Sequence, residues 1–182
     1  MKISISFGVT VIAAIVIFCG SYDLVLPMLS AAAIHEAGHI IAILLQGGNI
    51  SNFTVNAGGL KISYDSYRFT YAQDLICALS GPVVGIIAAV LGANIGLPVF
   101  AGISLCLSVF NLLPIRPLDG GKIVWSFFMM LSVKNSDKLM TIIEIIFLAI
   151  LNVISLYIFA ISGSFNLTLL TAVLTFYYCK ER

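Results

Sequence analysis

The sequence predicts an all-α polytopic membrane protein with six transmembrane helices, a broken fourth helix and a short membrane-surface β-hairpin after helix two. Two observations predict this class. Of the 182 residues, 60% are hydrophobic and 9% are charged, and the mean hydropathy is +1.11, which lies far outside the composition of soluble domains. The apolar residues also form runs near the ~20 residues that a helix needs to cross a bilayer.

The first two predicted spans occupy the N-terminal quarter of the chain. An apolar run at about Ile3–Gly20 has no small-x-small cleavage site after it, which favours a transmembrane helix over a signal peptide. The second span, about Leu24–Gln46, is followed by Gly47-Gly48, which is typical of a helix end. Polar and apolar residues then alternate on both sides of Ala57-Gly58-Gly59, and this period of two predicts the hairpin.

The fourth predicted span is interrupted. Residues Val99–Leu113 are apolar, residues 114–121 read PIRPLDGG, and Ile123–Val133 are apolar again. Irregular backbone at membrane depth is tolerated only where protein or a water-filled cavity surrounds it, so we expect this stretch to line a cavity. The spans that remain are about Ala72–Ala93, Leu139–Ile161 and Asn166–Tyr178. The first of these contains Ser80-Gly81-Pro82, small residues plus a break that would permit close helix approach.

The positive charges predict the orientation of these spans. Seven of the nine lysine and arginine residues fall on one side of the membrane if the spans alternate, and the other two, Arg116 and Lys122, belong to the interrupted span. By the positive-inside rule both termini and the hairpin are cytoplasmic. The net charge of +1 and the absence of a basic cluster exclude a nucleic-acid partner.

The second span carries an H-E-x-x-H element, His35, Glu36 and His39. On a helix, histidines four residues apart lie on one face and can hold one metal ion, and the intervening glutamate can take a proton from a water molecule. Ionisable residues inside a span are costly unless they are compensated, so a metal site is a better explanation than a chance match. His39 is eight residues before Gly47, which places the ion roughly 12–18 Å from the cytoplasmic face.

A catalytic zinc site usually has three protein ligands, and the chain contains only two histidines. Among the acidic residues Asp119 is flanked by backbone irregular enough to aim its side chain inward, so it is the predicted third ligand, with Glu144 as the alternative. Asn111 precedes the interruption by one turn and could donate to a peptide carbonyl, or instead form a hydrogen bond between helices.

Together, HEAGH at His35–His39 and NLLPIRPLDGG at Asn111–Gly121 resemble the site-2 protease family of intramembrane zinc metalloproteases. The resemblance implies one Zn²⁺ per chain, bound by His35, His39 and Asp119. It further implies that Glu36 is the catalytic acid and base and that Asn111 contacts the substrate or its oxyanion. Pro114, Pro117, Gly120 and Gly121 would shape the ligand loop.

The resemblance also sets expectations for the whole chain. Residues 1–182 are expected to form a single transmembrane metalloprotease domain without a PDZ or CBS domain, in a bacterial cell membrane. The expected substrate is a transmembrane or membrane-associated protein. The PLDGG variant is similar to the branch that processes pro-sigma factors in sporulation, and other relatives cut anti-sigma factors. A membrane carrier for a metal or proton and an inactive substrate-binding relative are the alternatives.

Overall fold

Helices and one two-stranded sheet make up the described part of the chain, which in this computed structural model comprises residues 22–48, 50–56, 59–64, 69–116, 118–163 and 166–181. A short 3₁₀ turn (Tyr22–Leu24) leads into the first helix. The helices are α1 (Val25–Leu45), α2 (Tyr71–Asn94), α3 (Pro98–Asn111), α4 (Asp119–Met130), α5 (Ser136–Ser162) and α6 (Asn166–Glu181). Strands β1 (Ile50–Asn56) and β2 (Gly59–Tyr64) lie between α1 and α2 and pair antiparallel, with Val55 opposite Leu60.

Three helices in the described part of the chain, α1, α2 and α5, are long and apolar enough to cross a membrane. They support the interpretation of the chain as an integral membrane protein. Helices α3, α4 and α6 are shorter, with 14, 12 and 16 residues. The first predicted span, Ile3–Gly20, lies outside the described residues. The count of six crossings and the location of the hairpin at the membrane surface therefore stay predictions.

The ends of α1 and α2 follow from their sequences. Gly47 has φ +75°, and the N–H groups of Gly47 and Gly48 donate to the carbonyls of Leu44 and Ile43; this is a Schellman motif, which favours glycine. Helix α2 begins with a capping box, in which the side chains of Thr70 and Gln73 each bond to the other's backbone N–H. The C-terminal end of α1 and the N-terminal end of α2 are thus both set by local hydrogen bonds.

The chain leaves the helical conformation between Asn111 and Asp119, where the sequence predicts the interruption. Helix α4 starts at Asp119, four residues before the apolar run that predicts it at Ile123. A carboxylate in the first turn of a helix is favourable with the helix dipole, which offsets the poor helix propensity of Gly120-Gly121. Pro82, by contrast, does not break α2, which continues through it.

Helix α2 is the central helix of the fold and packs against α1, α3 and α4. Helices α5 and α6 pair with each other, and α5 joins the rest of the molecule through α4. Ile115 and Leu118, from the interruption, form a buried cluster with Leu148 of α5 and Leu174 of α6. The interruption is thus held between the two groups of helices, next to the start of α4.

Candidate metal centre

The three predicted metal ligands meet at one point. Asp119 Oδ2 lies 3.0 Å from Nε2 of His35 and 3.0 Å from Nε2 of His39, and the two Nε2 atoms are 3.3 Å apart. His35 and Asp119 are buried, at 4% and 6% exposure. Among the described residues, these three form a group that could hold a metal ion.

The spacing of the three atoms fits a zinc ion. Zn–N and Zn–O bonds of about 2.0–2.1 Å in tetrahedral geometry place neighbouring ligand atoms about 3.3 Å apart. The observed separations of 3.0, 3.0 and 3.3 Å are close to the edges of that tetrahedron. Three protein ligands also leave the fourth position that catalytic zinc sites keep open.

A backbone carbonyl from α2 fixes the tautomer of His39. Its Nδ1 lies 2.7 Å from the carbonyl oxygen of Cys77, and because a carbonyl can only accept, Nδ1 is the atom that donates. In the neutral ring Nε2 is then an acceptor, and it faces a carboxylate oxygen of Asp119 that is also an acceptor. A cation between the two atoms removes their repulsion, and such a carbonyl partner is usual for a histidine that binds a metal.

The second oxygen of Asp119 has its own partner. Lys122, one turn further along α4, donates from Nζ to Oδ1 at 3.0 Å, while its side chain is 60% exposed. This bond orients the carboxylate so that Oδ2 is the oxygen that faces the histidines. Gly120 next to it lies against the Leu112 carbonyl, which a Cβ would overlap.

Close contact between α1 and α2 makes room for the His39 ring. A Cβ built on Gly81 would overlap the His39 imidazole, and a Cβ on Gly38 would lie 2.8 Å from the Ser80 carbonyl oxygen. Small residues allow helices to approach in this way. The His39 ring therefore fits in its position because residue 81 is glycine and has no side chain.

Glu36, the predicted acid and base, follows His35 directly on α1 and is partly buried. Its charge interacts with those of His35, His39 and Asp119. The carboxylate therefore lies near the three candidate ligands.

Asn111, the second predicted catalytic residue, is the last residue of α3, where its Nδ2 donates to the Leu107 carbonyl at 3.0 Å. The other N–H of that amide can still donate.

Glu144, the alternative third ligand, does not join this group. It is completely buried on α5 and forms an ion pair with Arg116. Of the predicted loop residues, Pro114, Gly120 and Gly121 lie in or beside the interruption, and Pro117 lies outside the described residues.

Sequence reasoning missed the contribution of α2. Its Ser80-Gly81-Pro82 stretch predicts only helix packing, yet Gly81 and the Cys77 carbonyl both contact His39. The glycine at position 81 was the one signal in the sequence that α2 could lie close to the helix that carries the histidines. The Cys77 carbonyl left no signal in the sequence, since every residue has a backbone carbonyl. Lys122, three residues after Asp119, could have been found from its spacing.

Comparisons with known proteins show which family the chain is similar to. The sequence model of peptidase family M50 matches residues 96–154, which include the interruption and Asp119 but not the H-E-x-x-H element. A protein of Synechocystis sp. described as a zinc metalloprotease is 31% identical over 113 residues, or 56% of this chain. The chain spans only 30% of the length of that relative.

The fold is also similar to a solved structure. The site-2 protease from Methanocaldococcus jannaschii superposes with a TM-score of 0.66 at 22% identity, covering 100% of this chain and 93% of that one. At this identity the match shows the fold alone. The family match, the relative and the shared fold together confirm the resemblance to the site-2 proteases, peptidase family M50, that the two motifs predict.

Proposed function

We propose that this chain is an intramembrane zinc metalloprotease that hydrolyses peptide bonds of membrane-embedded or membrane-associated proteins. The observation that carries the proposal is the convergence of His35 Nε2, His39 Nε2 and Asp119 Oδ2 within 3.0–3.3 Å of one another on apolar helices. Residues 1–182 act in this proposal as one transmembrane domain, with six spans and cytoplasmic termini.

Each site residue has a role in the proposed reaction. His35, His39 and Asp119 hold the ion, and a bound Zn²⁺ would supply a Lewis acid for the peptide carbonyl. Glu36 takes a proton from the attacking water and passes it to the nitrogen of the leaving amine. The peptide bond gains an O–H on the carbonyl side and an N–H on the amine side, so the two protons of water are accounted for.

Asn111 is proposed to donate its second amide N–H to the carbonyl oxygen as negative charge develops there. The proposal is supported by its place at the end of α3, immediately before the interruption that carries Asp119. Lys122 keeps the Asp119 carboxylate oriented and adds a positive charge next to the anionic ligand.

The substrate must present an extended segment, because a peptide bond inside a helix is shielded by its own hydrogen bonds. We propose that the hairpin of β1 and β2 pairs with that segment through main-chain hydrogen bonds. The finer proposal, that substrates include pro-sigma or anti-sigma factors, is supported by the PLDGG variant of the second motif.

Metal analysis and cleavage of a model membrane substrate test the proposed function together. Wild-type protein purified in detergent should contain one zinc per chain and cut the substrate. Glu36→Gln should keep the zinc and lose cleavage, because it removes the base and leaves all three ligands. Zinc without cleavage in the wild type would favour an inactive relative, and zinc uptake into sealed vesicles would favour the carrier.

A further inference from the structure

We propose that Glu144 of α5 is a positioning residue for the metal centre, because it holds the interruption in the one conformation that turns Asp119 toward His35 and His39. The inference rests on the proposed function, since it assumes that Asp119 is a metal ligand. It assigns to a buried acid outside the site a role that neither motif contains.

Glu144 makes three directed hydrogen bonds to one residue of the interruption. Its Oε1 accepts from the backbone N–H of Arg116 at 2.9 Å and from Arg116 Nε at 2.7 Å, and its Oε2 accepts from Nη2 at 3.0 Å. The carboxylate is completely buried, whereas the Arg116 side chain is 44% exposed. Glu144 therefore binds both the main chain and the side chain of Arg116.

The backbone of Arg116 is tightly connected to Asp119. The N–H of Leu118 donates to the Ile115 carbonyl at 2.8 Å, which closes a turn around Arg116. A Cβ on Gly121, in the first turn of α4, would lie 2.6 Å from the backbone nitrogen of Arg116. A displacement of Arg116 is thus passed to the start of α4, where Asp119 is the first residue.

Apolar packing alone would hold this segment less specifically. Ile115 and Leu118 are buried against Leu148, but apolar contacts are not directional and allow a segment to shift. Burial removes the hydration of the Glu144 carboxylate, and this cost offsets much of the stability that its ion pair with Arg116 adds. Its three hydrogen bonds are satisfied in one geometry, so its effect is expected on the position of Asp119 more than on folding.

Co²⁺ in place of Zn²⁺ gives a readout of ligand geometry that does not depend on cleavage. The full chain is purified in detergent as wild type, Glu144→Leu, Glu144→Gln and Asp137→Asn. The last is a matched control for charge, since Asp137 is an exposed residue of the same helix whose charge also acts on Arg116. Each protein is titrated with Co²⁺ while its visible spectrum is recorded, Zn²⁺ affinity is measured against a chelator, and the thermal midpoint is determined.

Glu144→Leu is expected to change the Co²⁺ spectrum and to weaken Zn²⁺ binding about 10- to 100-fold, the range that outer-shell changes cost. Glu144→Gln keeps an acceptor for the Arg116 N–H and should lie between Glu144→Leu and the wild type. Asp137→Asn should match the wild type. If Glu144→Leu does not fold, the Co²⁺ spectra and Zn²⁺ affinities of Glu144→Gln and Asp137→Asn are compared instead, and a change in Glu144→Gln alone supports the inference.

Two results would overturn the inference. One is a wild-type spectrum and a wild-type Zn²⁺ affinity in the Glu144 variants. The other is a lowered thermal midpoint with an unchanged spectrum, which would make the ion pair merely structural. A wild-type protein that takes up no Co²⁺ at His35 and His39 would instead refute the proposed function itself, so the two failures are distinguishable.

Discussion

Adding one methyl group at Gly81 should weaken metal binding. In Gly81→Ala the new Cβ would overlap the His39 imidazole, so either the ring must leave its position or α1 and α2 must separate. Forcing an extra methyl group into a packed site costs about 1–3 kcal/mol. If that strain is relieved when His39 moves, Zn²⁺ affinity falls about 5- to 150-fold, since ~1.4 kcal/mol corresponds to a factor of ten.

Gly102→Ala is the matched control for this prediction. Gly102 lies within α3, and a Cβ there would meet no atom within 4 Å, so alanine should gain about 1 kcal/mol of helix stability and leave the site unchanged. Zn²⁺ affinity is measured against a chelator in detergent, with the thermal midpoint recorded for both variants. Equal affinities and equal midpoints for Gly81→Ala and the wild type would refute the reasoning that α2 seats the His39 ring.

Three further changes test the site and the fold. Asp119→Ala should remove most of the bound zinc, because it deletes one of three ligands, and metal analysis that finds a full complement would contradict its role. Lys122→Met should weaken Zn²⁺ binding about 10- to 100-fold by freeing Oδ1 of Asp119, whereas the exposed Lys138→Met should not, and equal affinities would show that Lys122 does not orient the ligand. Thr70→Val should lower the stability of α2 by about 1 kcal/mol through loss of its N-cap bond, and an unchanged unfolding midpoint would contradict that estimate.

The candidate ligands could be predicted because each leaves a local signal. The spacing of His35 and His39 is a property of the helix itself, and the proline and glycine residues around Asp119 mark the interruption without any knowledge of the fold. The end of α1 at Gly47-Gly48 is local in the same sense, since the positive φ of Gly47 is required by the turn. These features depend on a few neighbouring residues and hardly at all on packing.

The supporting contacts could not be predicted because they depend on which helices meet. Glu144 and Arg116 are 28 residues apart, and the sequence offers both residues several partners of opposite charge. The Cys77 carbonyl is chemically the same as any other carbonyl until α2 is placed beside α1. Even the start of α4 was predicted four residues late, because Gly120-Gly121 forms a helix only when it packs against the preceding segment.

The order in which the chain is made has a consequence for when the candidate metal centre can form. His39 and Asp119 are 80 residues apart, and synthesis delivers the imidazoles first. A ribosome that stalls before codon 119 leaves a membrane-inserted fragment with two rings and no acidic partner. The group of three candidate ligands therefore stays incomplete until Asp119 has been translated, and the two histidines must wait in α1 for their acidic partner.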